Sequence, residues 1–247
     1  MSAIIELSGV SKSFGGVKAN SDISMTVAEG GITGLIGPNG SGKTTLFNSI
    51  VGYHPIDRGS IKFRDREISK LLVPQIARLG LLRTFQQTRI YGAMNCVENM
   101  LISIPHRKMS LMDSFGRNTR EDQARALQML EFVGLYEKRF LQSGSLSFGQ
   151  QKLLEFAMAL MNEPTVLLLD EPTAGINPTL INGLIDRLQR ANTEFGITLF
   201  IIEHNMRVIM NMADKIYCMA HGQMLAEGRP EEIQDDQRVI DAYLGAH

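Results

Sequence analysis

The sequence predicts an α/β fold with a mostly parallel central sheet, and three observations carry that expectation. Short β-rich runs alternate with helical patterns along the chain, as in sheets whose strands are joined by crossover helices. The run Val166-Leu167-Leu168-Leu169 shows no polar alternation, which marks a strand covered on both faces. The stretch 95–162 breaks the alternation and is helical in pattern almost throughout, so it reads as a helical subdomain inserted into the α/β core. With 247 residues, 44% of them hydrophobic, the chain can bury a sizeable core and reads as one domain, 1–247, carrying that insertion.

In order, the candidate strands are residues 4–7, 23–27, 32–36, 60–63, 81–85, 166–170, 198–203 and 215–220. Candidate helices begin near Gly42, Val73, Asn95, Arg120, Ser147, Pro178 and Met206. Ser143-Gly144-Ser145 marks a loop ahead of the Ser147 helix. That helix carries Leu153, Leu154, Phe156, Ala157 and Leu160 as its apolar positions.

Charge and composition exclude several classes. The formal net charge is -1 and no long basic run is present, which argues against a nucleic-acid partner or electrostatic adhesion to a membrane. Cys96 and Cys218 have no metal-ligand spacing and read as free thiols in a reducing cytosol. The N-terminal residues lack the pattern of a secretory signal. The apolar runs are too short to cross a bilayer, so any work at a membrane requires a partner to hold the chain there.

The most specific chemistry lies at Gly37-Pro38-Asn39-Gly40-Ser41-Gly42-Lys43-Thr44-Thr45, which fits G-x-x-x-x-G-K-[ST] in full. It stands between a candidate strand and a candidate helix. Glycines let the backbone curl with its N–H groups inward, and the helix N-terminus adds a positive dipole end. This pattern binds nucleotide phosphates: Lys43 on the β- and γ-phosphates, the Thr44 hydroxyl on Mg²⁺, Thr45 toward the α-phosphate. The run ending in Asp170-Glu171 places two carboxylates at a strand C-terminus, where parallel sheets bind ligands. Asp170 is then the Mg²⁺ residue and Glu171 the general base for an attacking water.

Leu146-Ser147-Phe148-Gly149-Gln150 resembles the signature motif of ABC ATPases, with Phe148 where the family usually has Gly. Four more matches follow in family order. Arg83-Thr84-Phe85-Gln86 resembles the Q-loop, with Gln87 as the competing assignment, and Ile201-Ile202-Glu203-His204 resembles the switch strand. Ala174-Gly175-Ile176-Asn177-Pro178 occupies the D-loop position, with Asn177 where Asp is usual. Phe14 sits where an aromatic stacks on adenine, or else is a core Phe near a turn. His54, His106, His221 and His247 carry no such pattern and read as structural.

The resemblance spans nearly the whole chain and implies a P-loop ABC ATPase core with an N-terminal antiparallel β region. It implies an ATP hydrolase using ATP and Mg²⁺, with Gln86 on Mg²⁺ and the lytic water, and His204 on the γ-phosphate. It further implies a head-to-tail dimer with a second ATPase subunit, same chain or paralogue. There Ser147, Phe148, Gly149 and Gln150 complete the partner's site. Two integral-membrane permease subunits, and a solute-binding protein, complete a complex that holds the chain on the cytoplasmic face of the cell membrane. The finer likeness is to the larger ATPase of branched-chain amino-acid importers. It rests on residues 83–86 and 174–178, the tail Gly228-Arg229-Pro230-Glu231-Glu232-Ile233, and Val239-Ile240-Asp241-Ala242-Tyr243-Leu244-Gly245. Lipopolysaccharide-export and urea or amide transporters share much of this. A soluble non-transport ABC ATPase would carry a coiled-coil insertion or a second ATPase domain, and a scaffold with a dead site would lack parts of the set named above.

Overall fold

The computed structural model describes residues 2–84, 90–104 and 119–244. The chain forms two compact units: Met1–Arg83, Thr165–Thr173 and Leu188–His247 in the first, Thr84–Pro164 and Ala174–Arg187 in the second. The 95–162 stretch falls in the second, which also takes in the segment after Asp170-Glu171.

In the first unit, β1 (Ala3–Phe14), β2 (Val17–Ala28), β4 (Arg58–Phe63) and β5 (Arg66–Glu67) form an antiparallel sheet in the order β2-β1-β4-β5. The strands β3 (Ile32–Ile36), β6 (Leu81–Arg83), β7 (Val166–Asp170), β8 (Thr198–Ile202), β9 (Lys215–Ala220) and β10 (Gln223–Gly228) form a second sheet, in the order β10-β9-β3-β8-β7-β6. All its pairings are parallel except β9 with β10. Every residue of β3, β7 and β8 is buried, as in strands covered on both faces. Register aligns their ends: Leu35 and Asp170 both pair with Ile202, and Ile36 pairs with Cys218. Gly37, Glu171 and Glu203 therefore leave the sheet along one edge.

The helix α1 (Lys43–Ile50) buries Leu46, Phe47 and Ile50, and Phe47 meets Phe200 of β8 with ring centroids 4.7 Å apart. Three short helices, α2 (Val73–Ala77), α7 (Met206–Met210) and α8 (Pro230–Gln234), and the terminal α9 (Gln237–Leu244) complete the elements lying wholly in this unit. Ile233 and Val239 anchor the tail in the core.

Several boundaries differ from the sequence expectation. The first hairpin is far longer than residues 4–7 and 23–27, because its outer parts are polar and its register slips at several points. A strand with one solvated face and bulges loses the period-2 signal. The edge strand β10 escaped notice because Gln-Met-Leu-Ala-Glu-Gly has little β propensity and only Ala226 is fully buried. Residue 85 of the expected 81–85 strand lies outside the described residues.

The second unit contains α3 (Cys96–Ile102), α4 (Arg120–Phe132) and α5 (Phe148–Leu160). It also holds the first part of α6 (Pro178–Phe195). Each of α3, α4 and α5 opens on a capping box, at Asn95, Thr119 and Ser147. Asn99, wholly buried on α3, ties the loop after the Q-loop segment to the turn before the signature. Its Oδ1 accepts from Tyr91 N at 2.8 Å, and its Nδ2 donates to Asn95 O at 2.9 Å and Ser143 Oγ at 3.1 Å. Replacing Asn99 with Ala strands several buried groups, each costing about 1–3 kcal/mol. A urea titration of Asn99→Ala is expected to show a loss of roughly 2–4 kcal/mol; a loss under about 1 kcal/mol would contradict this network.

Candidate functional site

The loop from Gly37 to Gly42 links the end of β3 to α1, as the strand–loop–helix reading requires. Gly42 stands at the helix N-cap with φ 99°, and a Cβ there would lie 2.2 Å from Ala19 O and 2.6 Å from Asn20 Nδ2. Only glycine lets the loop sit this close to β2. Asn20 Nδ2 donates to Gly42 O at 3.1 Å, and Ser41 N closes a turn onto Pro38 O at 3.2 Å.

Lys43 lies under this loop, its Nζ donating to Gly37 O at 2.8 Å and Pro38 O at 2.9 Å. Burial pulls its pKa below the ordinary lysine value, opposed by the charges of Glu171 and Asp170. A cleft of about 400 Å³ opens above, lined by Asn39, Gly40, Ser41, Gly42, Thr44, Thr45, Glu171 and His204 among others. Val17, Lys18, Ala19, His221 and Gly222 also line it. His221, read from sequence as structural, therefore lines the same cleft as the Gly-rich loop. Phe14 is exposed, with its ring edge-on to His54 at 5.1 Å.

Asp170, at the end of β7, forms a buried ion pair that sequence reading missed. Arg83 Nη2 reaches Asp170 Oδ2 at 2.5 Å, and Arg83 Nη1 reaches Asn48 Oδ1 at 2.5 Å. The guanidinium stacks over Phe47, 5.7 Å from the ring centroid. Asp170 Oδ1 is buried with no hydrogen-bond partner. An orphaned carboxylate oxygen beside a phosphate-type loop suits Mg²⁺, which takes one or two protein ligands and completes its shell with phosphate and water. Among the described residues no group of three or more His, Cys, Asp or Glu forms a self-sufficient metal cage.

The residue after Asp170 is held differently. Glu171 adopts φ 51°, left-handed backbone that a non-glycine residue enters at a cost, and its N–H donates to Ile202 O at 2.9 Å. His204 Nε2 and Glu171 Oε1 lie 2.6 Å apart. Glu203, almost wholly buried, braces both strand ends. It accepts from Thr173 N at 3.1 Å and Thr173 Oγ1, and from His204 N at 2.7 Å and Asn205 N at 3.1 Å. A buried carboxylate in an otherwise apolar strand was the available signal for this brace.

In the second unit, Ser147 is the N-cap of α5: its Oγ accepts from Gln150 N at 3.4 Å, and Gln150 Oε1 accepts from Ser147 N at 3.1 Å. Ser147 and Phe148 are exposed, and Gly149 is buried against Ile176 and Leu180. A Cβ at Gly175 would lie 2.9 Å from the Phe148 ring. The bulky residue at the third signature position thus packs on a D-loop glycine. Gln86 and Gln87, as well as His106 and His247, lie outside the described residues.

The chain thus carries a Gly-rich strand–loop–helix turn, an acidic strand end and a capped Ser-Phe-Gly-Gln helix. The family model described as ABC transporter matches residues 20–174. The chain belongs to the ABC transporter family, as its ATP-binding subunit. A second model, described as branched-chain amino acid ATP-binding cassette transporter, matches residues 223–247. The high-affinity branched-chain amino acid transport ATP-binding protein BraF of Pseudomonas aeruginosa is 38% identical, with 98% of each chain covered. LivG of Escherichia coli K12, with the same description, is 36% identical at the same coverage. Among solved structures, the ADP conformation of an ATP-binding cassette of an ABC transporter superposes with a TM-score of 0.90 at 33% identity, covering 99% of this chain and 100% of that one. In this ABC ATPase the α/β core with its helical insertion is therefore the family fold.

The Arg83–Asp170 pair has a stability consequence. Removing one partner of a buried ion pair costs about 3–5 kcal/mol, since the other charge stays buried and uncompensated. Arg83→Met should destabilise the chain by roughly that amount in chemical denaturation, and adding Asp170→Asn should recover part of the loss. Equal stability of Arg83→Met and the unmodified chain would contradict the pairing.

Proposed function

We propose that this ATPase powers uptake of branched-chain amino acids or a closely related small solute. The observation that carries the reading is the joint match of the tail, residues 223–247, and of nearly the whole chain to branched-chain amino-acid transport ATPases. No described helix is long and apolar enough to cross a membrane. Two integral-membrane permease subunits would hold the chain at the inner face of the cell membrane, and a solute-binding protein would deliver the solute.

The working unit is a head-to-tail dimer with a second copy or a paralogue. Lys43 and backbone N–H groups of the loop other than that of Gly37, which Tyr243 holds, bind the phosphates, and Phe14 lies toward the adenine. Thr44, Asp170 and Gln86 hold Mg²⁺, which when bound neutralises charge on the phosphate oxygens. Glu171 takes the proton of the attacking water. With Oε1 fixed on His204 at 2.6 Å, that carboxylate is oriented rather than free to rotate. His204 also reaches the γ-phosphate. Ser147, Phe148, Gly149 and Gln150 of the partner subunit's copy cover the phosphates, since a capped helix start presents a hydroxyl and N–H groups to an anion. Closure follows because ATP binds the closed dimer more tightly than the open one.

Glu171→Gln should bind ATP with unchanged affinity while turnover falls by about 10²–10⁴-fold, the contribution of a positioned base. Lys43→Ala should instead weaken binding itself in the same equilibrium titration. Retained turnover in Glu171→Gln removes it as the base. For the solute, the intact complex in proteoliposomes should show ATP hydrolysis stimulated by leucine, isoleucine or valine with the binding protein. Stimulation by urea or short amides alone would replace this reading.

A further inference from the structure

The tail named in the sequence as a subfamily marker touches the phosphate loop. Tyr243, on α9, accepts a hydrogen bond at its hydroxyl from Gly37 N at 2.8 Å. Gly37 is the first residue of the loop and has φ 143°, and a Cβ on it would lie 2.0 Å from Met219 O of β9. The loop start is thus clamped between a β9 carbonyl and the tail hydroxyl. A second contact comes from the same C-terminal segment, where Gly222 N, in the β9–β10 turn, donates to Ser41 O at 3.2 Å. Val239 and Ile233, both buried, fasten α9 and α8 so that Tyr243 has a fixed base.

We infer that Tyr243 is a positioning residue for nucleotide binding, fixing Gly37 so that the phosphate loop is already shaped when the phosphates arrive. The inference rests on residues 37–45 being the nucleotide's phosphate loop. Its physical basis is pre-organisation: a loop held in its bound shape beforehand loses less freedom on binding. The hydroxyl contributes as an acceptor, a role phenylalanine cannot fill while keeping the ring in place. Burial pushes the Tyr243 hydroxyl up to about 12, so it remains a neutral phenol at any ordinary working pH. Tyr243 touches the loop backbone and is 206 residues from Gly37 in sequence, so motif reading could not pair them.

The test compares the full chain with Tyr243→Phe by two measurements. The first is hydrogen exchange at the Gly37 amide, followed by NMR without nucleotide and referenced to Phe200 in the core. The second is the MgATP dissociation constant from calorimetry. Tyr243→Phe should speed Gly37 exchange selectively and weaken MgATP binding about fivefold, the size of one neutral hydrogen bond. A uniform rise at Gly37 and Phe200 together means a merely structural role and overturns the inference. Unchanged Gly37 exchange or unchanged affinity overturns it as well. Normal MgATP binding by the unmodified chain with no shift in the variant defeats this inference alone. Absence of MgATP binding in the unmodified chain defeats the phosphate-loop reading, and this inference with it.

Discussion

The close approach of the Gly-rich loop after β3 to β2 constrains the rest of the first unit. At Gly42 the backbone passes where a side chain would strike Ala19 O at 2.2 Å, so the loop keeps this approach only if nothing projects there. The sheet order then supplies what the loop lacks. With β3 beside β8 and β8 beside β7, the ends of three buried strands deliver the loop, the Asp170-Glu171 pair and the Glu203-His204 pair to one edge. Burying Asp170 and Glu203 is costly, and nearby groups offset it. Arg83 offsets Asp170, while backbone N–H groups and Thr173 offset Glu203.

Much of this was legible in the sequence where the chemistry is contiguous. The G-x-x-x-x-G-K-T loop, the apolar strand ending in two carboxylates and the helix start at Ser147 are each written within ten residues or so. What escaped reading depends on register and sheet order. Arg83 and Asp170 are 87 residues apart and meet only because β6 pairs with β7. His221 read as structural because a lone histidine at a turn carries no pattern, yet the β9–β10 turn sets it against the loop. The long first hairpin was cut short in the reading because its solvated, bulged parts lose alternation.

The second unit shows how a departure from a family pattern is absorbed. Phe148 lies over Gly175, where a Cβ would stand 2.9 Å from its ring. The capping box at Ser147 remains complete, and with it the exposed hydroxyl and helix start that the proposed dimer uses. Phe148 therefore lies beside the Ser147 cap without disturbing it.

The central claim is that residues 37–45 and Asp170 are the two halves of a MgATP site. A crystal structure of the chain with Mg²⁺ and a non-hydrolysable ATP analogue tests it most directly. The account predicts the β- and γ-phosphates within the loop, Lys43 Nζ turned from the Gly37 and Pro38 carbonyls onto phosphate oxygen, and Asp170 Oδ1 facing the metal. A nucleotide bound elsewhere, or Lys43 still held by those carbonyls with the site filled, would contradict it.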